Sequence, residues 1–264
     1  MSPKAWEASV AGIGFWARGL PGWDAARAYA AEGRLPDAPP VRPSPQLLAP
    51  NERRRAPETV AVALEVALAA CTAAGRDPAT LSSVFASTHG DLAITDYMCA
   101  TLVEDPRTIS PTKFHNSVHN AAAGYWTIGA GAMTPATAIS AFDASFAQGL
   151  LEAMAQLATG TEAVLLVGYD GTAAGPLAGT SASEGLLGGA LVLVGHPVPG
   201  APRLRVRLGE NDARNAHGRH GPLSRLLAGN AMAPMLPVFE MLARGGGACL
   251  HSGAGGVLEV ELVP

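Results

Sequence analysis

Short apolar runs of strand length alternate with longer segments of helical character along most of the chain, and this alternation narrows the choice of fold more than any other feature. Strands are predicted at Ala8 to Phe15, Ser82 to Ser87, Ala136 to Ala141, Glu162 to Val167, Gly188 to Val194, Arg203 to Leu208 and Val257 to Val263. Helices are predicted at Asp24 to Glu32, Ala56 to Ala74, Asp91 to Leu102, Asp143 to Thr159 and Pro237 to Arg244. Asp24 is a candidate N-cap, and Gly75 sits where a left-handed C′ residue ends a helix. Strands that are apolar on both faces and alternate with helices predict a mostly parallel sheet covered on both sides. Residues 33–50 hold six prolines and read as an irregular surface connection. Beyond residue 196 the pattern turns Pro/Gly-rich, which marks a second, smaller half.

With 264 residues the chain can bury a large core, as one domain or two fused ones. Only 15% of residues are charged and 48% are apolar. That balance fits a subunit buried against a partner, and equally the Ala-rich usage of a high-GC genome. The net charge is −4, and the one basic run, Arg53-Arg54-Arg55, reads as a solvated helix start, so no nucleic-acid partner is expected. No signal peptide is expected, because Met1 to Trp6 leads into a strand pattern. No apolar stretch approaches the ~20 residues of a membrane span. Cys71, Cys99 and Cys249 are unpatterned and suit buried thiols in a reducing cytoplasm. Gly12-x-Gly14 lacks the rest of a phosphate loop, and neither a cofactor nor a metal site is predicted.

The strand, tight turn and helix at residues 136–159 carry the chemical argument. A turn of this kind presents backbone N–H groups and a helix N-terminus, which lower the pKa of a thiolate placed there. Here the turn holds Phe142 and Asp143, and neither can form an acyl thioester. Asp143 is predicted to cap the helix, accepting from the N–H of Ser145 or Phe146. Ser145 is a conceivable nucleophile, but no G-x-S-x-G elbow surrounds it. His115 and His119, four residues apart, would share one face of a helix; without a glutamate between them they read as hydrogen-bonding groups alongside Asn116 and Asn120. His217 and His220 read as solvated loop residues.

Several motifs together resemble the β-ketoacyl synthase family. These are VFAST followed by His89-Gly90-Asp91, Ser110-Pro111 with Asn120-Ala-Ala-Ala-Gly, SAFDASFAQGLLEA and EAVLLVGYD. The wording FHNSVHNAAAGYW with ASFAQGLLEA is similar to the short chain-length-factor proteins of aryl-polyene-type clusters. The resemblance implies a thiolase-like α/β fold, layered α/β/α/β/α. Its N-terminal half would be complete over residues 1–195 and its C-terminal half strongly reduced over 196–264. It also implies a cytoplasmic heterodimer with an active β-ketoacyl synthase, acting on acyl carrier protein in polyketide, aryl polyene or fatty-acid-type biosynthesis.

The departures from the family are equally informative. The family's Cys falls at Phe142 or Asp143, and Gly229-Asn230 resembles its Gly-His segment with His replaced by Asn. The last glycine loop is matched by Ser252-Gly-Ala-Gly-Gly-Val, and no counterpart of the other histidine is placed. No catalytic residue is therefore predicted, and the chain reads as a chain length factor shaping a partner's acyl tunnel. Phe114, His115, Asn116, His119, Asn120, Phe142, Asp143 and Ser145 are the pocket or interface candidates. Phe114 and Phe142 are the bulky candidates for tunnel wall, and each fits an ordinary core position as well. The alternatives are an acyl-transfer or acyl-hydrolysing enzyme using Ser145 or Cys99 with His115, and a structural scaffold of the synthase.

Overall fold

The computed structural model describes residues 5–209, 221–253 and 256–263; His217 and His220 lie outside them. The chain enters as a long strand, β1 (Ala5–Ala17), followed by α1 (Trp23–Glu32), α2 (Pro50–Arg55) and α3 (Glu58–Ala74). Next come β2 (Ser82–Ala86), α4 (Leu92–Glu104), α5 (Pro111–His115) and α6 (Ala121–Ala130). The unit β3 (Ala136–Ile139), α7 (Ser145–Ala158), β4 (Ala163–Asp170) follows, then β5 (Leu187–Val194) and β6 (Arg203–Gly209). The chain closes with α8 (Pro222–Leu226), α9 (Leu236–Arg244) and the hairpin β7 (Ala248–Gly253), β8 (Gly256–Val263).

Among the described residues the strands form one eight-stranded sheet in the order β3-β2-β4-β5-β1-β6-β8-β7. The sheet is not mostly parallel as predicted. Only β2 pairs in parallel, with β3 and β4, while every pairing from β4–β5 onward is antiparallel. β7 and β8 are joined by a tight hairpin and so return antiparallel; the 171–186 link from β4 holds a 3-10 turn at Pro176–Gly179 and brings β5 back antiparallel as well. Unbroken apolar runs report burial on both faces, not direction. β7 was not predicted from the sequence.

Two apolar cores flank the sheet. On one face Phe146, Leu150 and Met154 of α7 pack with Phe239 of α9 and the inward residues of β1, β4, β5 and β6. On the other face Val62, Val66 and Ala70 of α3 and Trp126 of α6 cover Phe85, Leu165 and Val192. The Gly12-x-Gly14 pair explains how closely α3 lies on β1. A Cβ at Gly12 would fall 2.1 Å from the Ala70 carbonyl oxygen, and one at Gly14 would fall 2.0 Å from that of Val66. The Pro-rich stretch seals this second core by burying Leu48 and resting Leu47 against it.

Beyond β1 the sheet carries charge in place of helices on one face. Glu7, Arg205 and Glu261 lie directly opposite one another on β1, β6 and β8. Arg205 donates to Glu7 at 2.9 Å, and Arg207 pairs with Glu259 at 3.2 Å. Alternate residues Leu204 and Val206 are buried on the opposite face. Cross-strand pairs of this kind keep a half-covered sheet edge in water.

Several local expectations need correction. Asp24 lies in the first turn of α1, and Gly22 holds the cap position. Arg53–Arg55 form the last turn of α2, where cations suit the helix dipole, and not a helix start. Cys71 and Cys249 are buried as predicted, whereas Cys99 is exposed on α4. Gly75 closes α3 in the left-handed conformation, φ 62°, as predicted.

Candidate functional site

The parallel strands β2, β3 and β4 end together, and the turn from β3 into α7 stands at that end. Phe142 has φ 48°, the only positive value at a non-glycine position among the described residues. A left-handed conformation is costly for an aromatic residue and marks a sharp, strained strand-to-helix elbow. The Ser145 hydroxyl holds the elbow shut by donating to the Phe142 carbonyl at 2.6 Å and accepting from the Ala141 N–H at 2.9 Å. Just before the elbow, Ser140 donates to the carbonyl of Thr88, beyond the end of the neighbouring β2, at 3.0 Å. The ring of Phe142 is 75% exposed. It borders a surface hollow lined by Ile139, Ala144, Gln148 and Leu151.

Asp143 does not cap the helix. It lies in the 3-10 turn Phe142–Ala144 with its side chain exposed, and Ala144 holds the cap position of α7 with no side-chain bond. Ser145 does the local work that was assigned to Asp143. Buried and committed to backbone on both sides, its hydroxyl is not placed as a nucleophile. His115 is exposed on α5 with its ring edge-on to Tyr125 at 6.0 Å, and no hydrogen bond joins it to Ser145 or Cys99 among the described residues.

The loop after β2 is fixed by a buried carboxylate that the sequence reading passed over. Asp170, at the end of β4, accepts from the Ser87 hydroxyl at 2.7 Å, the Thr88 N–H at 2.9 Å and the His89 N–H at 3.3 Å. Burial pushes its pKa up, against those hydrogen bonds. His119 supports the same loop, with Nε2 2.9 Å from the Ser87 carbonyl oxygen. α5 ends at His115, so His115 and His119 do not share one helical face. No cluster of three or more His, Cys, Asp or Glu side chains able to hold a metal occurs among the described residues.

Asn230 is wholly consumed in bracing loops. Its Nδ2 donates to the carbonyls of Glu184 and Gly185, both at 3.1 Å, and its Oδ1 accepts from Met232 N–H at 2.9 Å. Asn116 is only 4% exposed and its Oδ1 has no hydrogen-bond partner among the described residues. Asn120 is exposed at the start of α6 and caps nothing. Phe114 stands 63% exposed on α5.

His251 on β7 was also missed. Its ring lies 6.2 Å from that of Phe146 and 3.6 Å from Cys249 Sγ. Burial drives its pKa down to about 4, so it is neutral at pH 7, and burial drives the Cys249 thiol up to about 12. A strand reading of ACLHSG, with alternate residues inward, was the available signal; the flanking glycines obscured it.

The sequence comparison adds the deciding observation: residues 23–222 match the family described as beta-ketoacyl synthase, N-terminal domain. The chain belongs to the β-ketoacyl synthase family. No curated protein matches the sequence. Solved structures of ketosynthases share its fold across nearly its full length. A structure of the ketosynthase ApeO in complex with its chain length factor ApeC, from Xenorhabdus doucetiae, contains a similar chain. It matches at 21% identity and TM-score 0.73, over 96% of this chain and 98% of that one. The ishigamide ketosynthase/chain length factor matches at 14% identity and TM-score 0.76, over 97% and 98%. The complex of AntDE with AntF, a type II polyketide acyl-carrier protein with its ketosynthase bound to the hexaketide, matches at 12% and 0.70, over 98% and 99%. Together with the mixed α/β sheet, these likenesses show a ketosynthase-type, thiolase-like fold. No helix among the described residues is long and apolar enough to cross a membrane.

Proposed function

We propose that this β-ketoacyl synthase family member is a non-catalytic, chain-length-factor-type subunit that pairs with an active β-ketoacyl synthase. One observation carries the reading: the strained elbow residue, where an acyl-transfer nucleophile is presented, is Phe142. The nearest hydroxyl, Ser145, is locked to backbone, and the Asn230 amide is spent on loop carbonyls. In this reading Phe142, whose φ of 48° marks the elbow, and not Asp143, stands where the family has its cysteine.

The surface around the elbow suits a partner. Among the described residues β3 is an edge strand with its outer side unpaired. Phe142 and Phe114 stand exposed, as do Ile128 and Met133 on and after α6. An apolar, half-open surface beside an unpaired strand is a docking liability unless it is covered. In this reading residues 196–264 are a reduced second half added to the same sheet. The partner supplies the catalytic cysteine and receives chains from acyl carrier protein in polyketide, aryl polyene or fatty-acid-type synthesis in the cytoplasm. Phe142 and Phe114 close the far end of its acyl tunnel.

The test is co-expression with a ketosynthase encoded beside it, followed by size-exclusion chromatography and product profiling. The reading requires a stable complex and a product lengthened by one or more extension units when Phe142 or Phe114 is truncated to Ala. A monodisperse monomer that ignores the ketosynthase would sink it. An intact complex whose product length ignores both substitutions would favour the scaffold reading.

A further inference from the structure

The ring of Phe142 is mostly exposed, so packing does not hold it, and it points wherever its backbone stands. The strand that delivers it, β3, is four residues long and pairs only with β2 among the described residues. Ser145 closes the elbow on itself, and the elbow's ties to the neighbouring chain run to the loop beyond β2. The two segments are stitched residue by residue. The Ser87 N–H donates to the Ile139 carbonyl at 3.1 Å, and the Ser140 hydroxyl donates to the Thr88 carbonyl at 3.0 Å. The Thr88 hydroxyl then reaches the Phe142 carbonyl at 3.4 Å.

That loop is in turn seated on the buried carboxylate of Asp170. The Ser87 hydroxyl and the Thr88 and His89 N–H groups all donate to it, and no salt bridge meets it among the described residues. A carboxylate buried without a cation is costly, and converging donors are what make it tolerable. Gly90 completes the seat. It adopts the left-handed φ of 69° and donates its N–H to Ser87 Oγ at 2.8 Å, which turns the hydroxyl proton towards Asp170. Thr88 is the junction: its N–H lies on Asp170, its carbonyl on Ser140 and its hydroxyl on Phe142. A displacement of this one residue is therefore passed to the elbow at two points.

We infer that Asp170 is a positioning residue: through Thr88 its carboxylate fixes where the Phe142 elbow stands, and so sets how far an acyl chain in the partner's tunnel extends. The first half concerns this chain alone, and the second rests on the partner-subunit reading. Asp170 touches neither the ring nor an acyl chain; it acts by holding the loop against which the elbow is registered. Without the carboxylate the loop loses its seat, Phe142 is no longer held at one place, and the stop it forms gives way to longer chains.

Hydrogen exchange of the isolated chain, read by mass spectrometry, tests the first half, and product profiling of the complex with a ketosynthase tests the second. Asp170→Asn keeps the volume of the buried side chain and replaces one acceptor with a donor. Ser140→Ala cuts the loop from the elbow at an exposed position, so it decides the matter even if Asp170→Asn does not fold. In both, amide exchange over residues 139–145 should quicken by about tenfold while α3 keeps its wild-type protection. In the complex both should lengthen the product by one or more extension units, as Phe142→Ala does. Leu204→Ala, a buried truncation on β6, should lower yield at unchanged length. Wild-type exchange over 139–145 in the variants overturns the inference. So does wild-type product length in the variants when Phe142→Ala lengthens the product. Unchanged length with Phe142→Ala itself counts against the tunnel reading, and the exchange result then decides the positioning role alone.

Discussion

Phe142 holds a left-handed backbone while exposing most of its ring, so the fold tolerates strain there without gaining burial in the isolated chain. Relieving the strain by Phe142→Gly should leave the isolated chain as stable or up to ~1 kcal/mol more stable. Urea denaturation is the check; a loss above ~2 kcal/mol would mean that the ring is a core residue after all. His251 offers a second residue-scale prediction. Its folded pKa of about 4 lies below the unfolded value of 6.5, so the unfolded chain takes up its proton first as pH falls. The stability it confers is full above pH 6.5 and is lost on the way down to about pH 4, a change of about 3 kcal/mol. Asp170, whose pKa is raised by burial, acts with the opposite sign. The comparison therefore belongs between the wild type and His251→Gln: the variant should lose less stability between pH 7 and pH 5. Parallel pH profiles for the two proteins would refute the assignment.

At the scale of elements, α3 lies with its backbone close against that of β1. Gly14→Ala would set a Cβ 2.0 Å from the Val66 carbonyl oxygen. Two backbones must part to admit it, which should cost ~3 kcal/mol or more. Gly22→Ala, at a position where a Cβ meets nothing within 4 Å, serves as the control in the same thermal melts. Most strands and helices were legible in the sequence because burial writes itself into apolar runs and into stops such as Gly75. Strand direction was not, since an unbroken apolar run reports burial on both faces and carries no direction. β7 escaped because glycines flank its short alternation. The candidate site was legible in its turn, Phe142-Asp143, and illegible in its bracing. Asp170, Ser87 and His119 meet only through tertiary contacts between strand ends. Ser145, and not Asp143, steadies the helix start because the intervening 3-10 turn places the aspartate in solvent.

For the whole molecule, the arrangement is asymmetric. Among the described residues, the β1, β6 and β8 part of the sheet carries an Arg–Glu ladder suited to water. The opposite edge strand, β3, is flanked in sequence by the exposed apolar residues Met133 and Phe142. Such a division predicts a subunit that is complete on one side and waits for a partner on the other. It also predicts that chemistry belongs to the partner. Intact-mass spectrometry of the co-purified complex, after incubation with acyl-loaded carrier protein, tests this most directly. The account predicts an acyl adduct on the ketosynthase and none on this chain. A stoichiometric acyl adduct on this chain would contradict it.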